Sequence, residues 1–159
     1  MIVFSLGLQY TTLYIYYDFY FTGENTMTDY FHLDAAPDHI RAISNLGLAH
    51  LGDAVFEVMV RSWLCLRGKA TSKGLHRATV HFVAAPAQAA MAEKILPLLS
   101  EEEGDVFRRG RNASPHSIPK AASREEYQTA TALEALFGWL YLQGRTERLN
   151  ALFSTMMGD

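Results

Sequence analysis

Three carboxylates stand in stretches where a carboxylate is costly. Between Leu46 and Val60 the only Asp or Glu, Lys or Arg residues are Asp53 and Glu57, in the run Leu-Gly-Leu-Ala-His-Leu-Gly-Asp-Ala-Val-Phe-Glu. Between Thr129 and Leu142 the only one is Glu134. A carboxylate removed from water costs several kcal/mol unless it is paired, hydrogen-bonded or bound to a metal. No Lys or Arg lies three or four residues from Glu134 to neutralise it along one helix. Gly52 precedes Asp53, and Gly138 lies one turn beyond Glu134. Glycine in a helix interior costs about 1 kcal/mol against alanine, and there it marks the close approach of another backbone. Two helices crossing at those glycines would bring Asp53 and Glu134 together.

Two carboxylates converging without thiolates describe a site for a hard divalent cation, Mg²⁺ or Mn²⁺. Such an ion lowers the pKa of a bound water and stabilises the leaving oxygen of a phosphodiester. The alternative is structural, with Asp53 and Glu134 capping helices or pairing with arginines from elsewhere, such as Arg61 or Arg109. Glu57, one turn after Asp53, either completes the site or is a salt-bridged helix residue. His50, three residues before Asp53, is either a further ligand or a satisfied core or interface histidine.

These residues need helices to carry them, and the punctuation from Asp38 onward is helical. His50–Arg67 places Leu51, Ala54, Val55, Val58 and Leu66 near a 3.6-residue period and ends at Gly68. Ser72 is the expected N-cap of a helix through Leu75, Ala78, Thr79 and Phe82. Pro86 suits the first turn of the next helix and Pro97 its end. Ser100 with Glu103 predicts a capping box and a short helix stopped by Gly110. Ser123 with Glu126 repeats the box before a helix through Leu133, Leu136, Phe137, Leu140 and Tyr141 that stops at Gly144, and Arg145–Met157 supplies a last helix. Between these, Arg111–Ala122 with Pro115 and Pro119 is the expected internal loop. The fold class is all-α.

The chain has 159 residues, 49% hydrophobic and 19% charged, which excludes disordered and fibrous classes and fits one domain with a real core. A single cysteine, Cys65, excludes a disulfide framework or a multi-thiolate zinc site and fits a cytoplasmic setting. The formal net charge of −3 hides a segregation: residues 51–120 hold ten basic residues against seven acidic, while both flanks are acidic. A local basic surface is therefore compatible with the average. Met1–Gly23 differs from the rest, with five of the eight tyrosines and the single charge Asp18. Its polar residues and lack of basic flanks argue against a membrane span, and it lacks the features of a signal peptide. Residues 1–26 are read as an upstream extension without a part in function, and residues 27–159, opening at Met27, as the functional domain.

Leu51-Gly52-Asp53-Ala54-Val55, followed far downstream by Glu134-Ala135-Leu136-Phe137-Gly138, resembles the nuclease domain of ribonuclease III. Arg108-Arg109-Gly110-Arg111-Asn112-Ala113, then Pro119-Lys120, Tyr127 and Thr131-Ala132-Leu133-Glu134, resembles its short branch, Mini-ribonuclease III. The likeness runs from about Ala42 to Met157. It implies an all-α homodimer that, with Mg²⁺ (or Mn²⁺ in its place), cuts double-stranded RNA to leave a 5′-phosphate and a 3′-hydroxyl. It carries Asp53 and Glu134 over as catalytic metal ligands. Full-length ribonuclease III has further acids four residues before the first and three before the second. Here those positions are Ala49 and Thr131, and the short branch likewise lacks the acids. The resemblance further implies a role in maturing large-subunit (23S) ribosomal RNA. Full-length ribonuclease III adds a separate RNA-binding domain. Without one, affinity for precursor ribosomal RNA is expected from the nuclease domain itself or from a helper such as a large-subunit ribosomal protein.

A-form RNA is read by shape, through phosphates and 2′-hydroxyls. Arg108, Arg109, Arg111, Asn112, Ser114, His116, Ser117 and Lys120 are the expected contacts around the loop, unless the arginines pair with Glu101, Glu102 or Glu103. Lys69, Lys73, His76 and Arg77, with Gln88, form a second expected group. Two rivals to a nuclease remain open: a catalytically inactive RNA-binding or ribosome-associated factor with the same fold, and a helical dimerisation module whose acids are structural.

Overall fold

Side-chain caps set where the helices begin. In a computed structural model, residues 35–68, 71–113 and 122–159 are described, together with Asp29 and Phe31. The chain divides into two units at Phe31/His32. Of the first, one contact is described: the Phe31 N–H donates to Asp29 Oδ1 at 2.8 Å. The N-terminal extension, residues 1–26, lies outside the described residues.

Among the described residues, the second unit is a set of seven α-helices. Helix α1 (Pro37–Ala42) opens on a proline. Helix α2 (Asn45–Leu66) is capped by the Ser44 hydroxyl, which accepts the Gly47 N–H at 3.0 Å. It therefore starts a turn before the His50 expected from periodicity, and it ends at Leu66, with Gly68 two residues beyond at φ of +72°. Helix α3 (Ser72–Val83) is capped by Thr71, whose hydroxyl accepts the Gly74 N–H at 3.2 Å. That corrects the expectation for Ser72, which is the first helical residue. Helix α4 (Ala85–Ile95) carries Pro86 in its first turn and runs into a 3₁₀ turn at Leu96–Leu98. Helices α5 (Glu101–Arg111) and α6 (Arg124–Leu142) both begin with the expected capping boxes. Helix α7 (Thr146–Met157) completes the unit. Every regular element among the described residues is helical, and none of these helices is long and apolar enough to cross a membrane.

Helix α6 is the axis around which the others pack, with α2, α4, α5 and α7 all against it. Its residues from Thr129 to Leu142 are buried except Glu134 and Tyr141, as expected of a helix that is apolar on all sides. Phe56 of α2 meets Phe137 of α6 edge-on at 5.6 Å and Phe153 of α7 at 6.0 Å. Ile95, Val106, Leu133, Leu136, Leu140 and Leu152 fill the core around them.

Two neighbours approach α6 so closely that only glycine fits. A Cβ on Gly52 would stand 1.7 Å from the Glu134 carbonyl oxygen and 2.6 Å from the Gly138 nitrogen. One on Gly138 would stand 2.1 Å from the Leu48 carbonyl oxygen. The crossing expected at these glycines is therefore a backbone-to-backbone contact. Gly110 does the same for α5, where a Cβ would lie 2.8 Å from Ala135 Cβ and 2.9 Å from Ala132 Cα. This corrects its reading as a helix stop: α5 continues through Arg111, and Gly110 is a buried packing position.

Glu103 ties the starts of α5 and α7 together. Its side chain is buried, and it accepts Arg148 Nε on Oε1 and Arg148 Nη2 on Oε2, both at 2.8 Å, with Arg145 at 3.5 Å. It also accepts the Ser100 N–H at 2.9 Å. Arg148 donates a further bond to the Leu98 carbonyl at 2.7 Å. The Arg148 bonds hold the Glu103 pKa below the usual carboxylate range, against the effect of burial.

Candidate active site

The glycine crossing decides where the acids go. Gly52 of α2 lies against the Glu134 carbonyl of α6, so Asp53, the next residue, emerges beside Glu134 at the crossing. Burial pushes the Glu134 pKa up to about 7, helped by the charge of Asp53. Asp53 is the more exposed of the two. Its pKa is raised as well, by partial burial and by Glu57, while the charge of His50 pulls it down. The environments separate the two acids. Asp53 ionises first, and Glu134 ionises later against a charge already present.

Among the described residues, neither Asp53 nor Glu134 forms an ion pair. Arg61 is engaged by Glu57, with Nε donating to Oε1 at 2.8 Å, which gives Glu57 the salt-bridged role and leaves Asp53 out of it. Arg109, the other candidate partner, forms no ion pair among the described residues. The alternative in which arginines neutralise the acids is thus not realised.

One further polar group points to this place. Gln88, in the first turn of α4, is 1% exposed, and its Nε2 is buried without a hydrogen-bond partner. Its amide stands against the Glu134 carboxyl, close enough to lower that pKa without completing a bond of ordinary geometry. An unpaired buried donor costs about 1–3 kcal/mol. The sequence reading sets Gln88 outside, alongside His76 and Arg77. It is instead packed inside, under Glu134, while Lys73, His76 and Arg77 are exposed on α3. The chain gives no signal for this: Gln88 is flanked by Ala87, Ala89, Met91 and Ala92, a composition that fits an inward face as well as an outward one.

The donor set fits a hard divalent cation. It offers two carboxylates that, among the described residues, pair with no Lys or Arg. Among the described residues no group of three or more His, Cys, Asp or Glu side chains could hold a metal ion. A cation here would take two carboxylates from the chain and keep several waters, the usual state of Mg²⁺. Ala49 and Thr131 are both buried, and the Thr131 hydroxyl donates to the Tyr127 carbonyl at 2.9 Å. His50 is exposed.

The other expected residues lie at the end of α5. Arg108, Arg109, Arg111 and Asn112 are all exposed there. Arg108 pairs with Asp105 at 2.7 Å and Arg111 with Glu125 at 3.1 Å, not with Glu101, Glu102 or Glu103. Exposed pairs of this kind are worth about 0–1 kcal/mol, so a phosphate can displace them. Ser114, His116, Ser117, Lys120 and Lys69 lie outside the described residues. Trp139 is buried in the core, and Trp63 packs on Phe82 while its Nε1–H donates to Asp159 Oδ2 at 2.8 Å.

An all-α unit built on a central helix, with two uncompensated carboxylates at a glycine crossing, matches a known class. The sequence model of the ribonuclease III domain matches residues 46–145. The chain belongs to the ribonuclease III family of endoribonucleases, in the branch of the Mini-ribonuclease 3 proteins. It is 50% identical over 105 residues to Mini-ribonuclease 3 of Symbiobacterium thermophilum, covering 66% of this chain and 81% of that protein. It is 43% identical over 110 residues to that of a Thermoanaerobacter species, covering 69% and 78%. The crystal structure of a Fusobacterium nucleatum protein superposes with a TM-score of 0.67 at 32% identity, over 72% of this chain and 88% of that one.

Proposed function

We propose that the chain is a Mg²⁺-dependent endonuclease of double-stranded RNA in which Asp53 and Glu134 are the metal ligands and catalytic residues. The observation that carries this is the glycine crossing, which sets two carboxylates side by side with no ion pair to a Lys or Arg among the described residues. A bound Mg²⁺, or Mn²⁺ in its place, supplies a nucleophilic water at neutral pH and offsets the charge developing on the leaving oxygen. Glu134 would hold the metal as a carboxylate, its carboxyl proton passing to water. Asp53, already ionised, anchors the exposed side of the site, where RNA enters. Arg108, Arg109, Arg111 and Asn112, with Ser114 and Lys120 of the following segment, grip backbone phosphates. His76 and Arg77 of α3 are a second contact.

The working form is a homodimer, with one site on each strand of the duplex. Val58 (62% exposed) and Leu66 (88%) on α2 and Val80 (51%) on α3 support this by giving the surface apolar positions that a second copy can cover. Sedimentation of the purified protein tests it, and a monomer at micromolar concentration would overturn it. The cellular substrate is precursor 23S ribosomal RNA, with help from a large-subunit ribosomal protein, a reading that rests on the branch alone.

The deciding experiment is cleavage of a plain RNA duplex by the purified protein with Mg²⁺ and with EDTA, beside Asp53→Asn and Glu134→Gln. Mg²⁺-dependent cutting that both substitutions abolish is the expected result. Binding of the duplex without cutting would favour an inactive RNA-binding factor. Neither binding nor cutting would leave a structural module or a helper-dependent enzyme.

A further inference from the structure

Gln88 has no part in the chemistry described so far, and packing alone does not account for it. Its side chain lies inside the α4–α6 contact, where methionine or leucine would fill similar space without a polar atom to satisfy. Instead it holds an amide whose Nε2 has no partner, facing a carboxyl that pairs with no arginine or lysine among the described residues. The two deficits are complementary. When one oxygen of Glu134 turns to a cation, the other needs a donor, and carboxylate ligands of metals are regularly held by such outer hydrogen bonds. At 1% exposure the amide is also too deeply placed to meet a phosphate on an RNA backbone.

We infer that Gln88 is a positioning residue for Glu134: its Nε2–H donates to the carboxylate oxygen facing away from the metal and so fixes the rotamer that presents the other oxygen. This rests on the metal-site reading above.

The test is Mn²⁺ binding to the full chain without RNA, read from the electron paramagnetic resonance signal of free Mn²⁺. It compares wild type, Gln88→Met, Gln88→Leu and Glu134→Gln. Loss of the outer hydrogen bond should weaken Mn²⁺ binding about 10- to 100-fold in both Gln88 variants. Their melting temperatures in EDTA should equal or exceed that of wild type, because an unpaired buried donor has been removed. Affinity for an RNA duplex in EDTA should not change. Unchanged Mn²⁺ affinity with a lowered melting temperature would reduce Gln88 to a packing residue. Unchanged Mn²⁺ affinity with weakened duplex binding would make it an RNA contact. Either result overturns the inference. If Glu134→Gln also binds Mn²⁺ as wild type does, the metal site itself fails, and the role of Gln88 falls with it.

Discussion

Asp53 and Glu134 carry different proton affinities because one faces solvent and the other is enclosed by α2, α4 and α6. For Glu134 this has a measurable sign. Its folded pKa of about 7 lies above the ordinary value of 4.5, so the fold favours the neutral acid. The group's contribution to stability is full below about pH 4.5, declines as the pH rises toward 7 and levels off above it. Metal-free wild type should therefore lose about 3 kcal/mol across that window that Glu134→Gln does not lose. In EDTA at about pH 8 the variant should melt higher than wild type. Thermal denaturation at a series of pH values checks this, and parallel curves would show that Glu134 is not held in a desolvated place. The same ionisation explains why a metal should bind more tightly as the pH rises through neutrality.

The helices hold these residues through contacts that leave no room for a side chain. Gly52→Ala places a methyl 1.7 Å from a carbonyl oxygen and should cost more than about 4 kcal/mol, since two backbones must part. Gly110→Ala meets side chain and Cα at 2.8–2.9 Å and should cost about 1–3 kcal/mol. Gly104, also in α5, has open space where a methyl would stand, with nothing within 4 Å, and Gly104→Ala should stabilise by about 0.5–1 kcal/mol. Urea unfolding of the three variants orders them. Glu103→Ala leaves Arg148 without its buried partner and should cost about 3 kcal/mol by the same assay. Much of this scaffold is legible in the sequence, because a glycine or an acid inside an apolar helical run is unusual enough to announce a crossing or a site. The two capping boxes are legible for a similar reason, since Ser and Glu three residues apart act locally. The rest is hidden by ambiguity of a physical kind. Gly110 near the end of a helix has the same neighbours in sequence whether it ends the helix or packs. Thr71 and Ser72 are adjacent hydroxyls that can each cap. Gln88 sits in a helix of small apolar residues with no clear stripe to say which side faces in. The partner of Glu103 is 45 residues away in the chain, beyond the reach of any local pattern.

Across the whole molecule, exposed basic residues gather at the end of α5 and on α3, a local excess that the net charge of −3 conceals. Arg109, exposed and without an ion pair among the described residues, should contribute most cleanly. Arg109→Ala should weaken duplex binding and reduce the slope of log affinity against log salt by about 1, with little dependence on RNA sequence. A titration at several salt concentrations checks this, and an unchanged slope would remove Arg109 from the contact surface. The crossing of α2 and α6 has a last consequence, for how the protein fails on heating. In many enzymes the working groups sit on loops that loosen well before the body melts, so activity fades first. Here the spacing of Asp53 and Glu134 is set by two backbones in direct contact at the centre of the core. Both acids stand on helices at that contact and not on a loop that could yield early. The temperature at which cleavage is lost should coincide with the temperature at which the helices unfold.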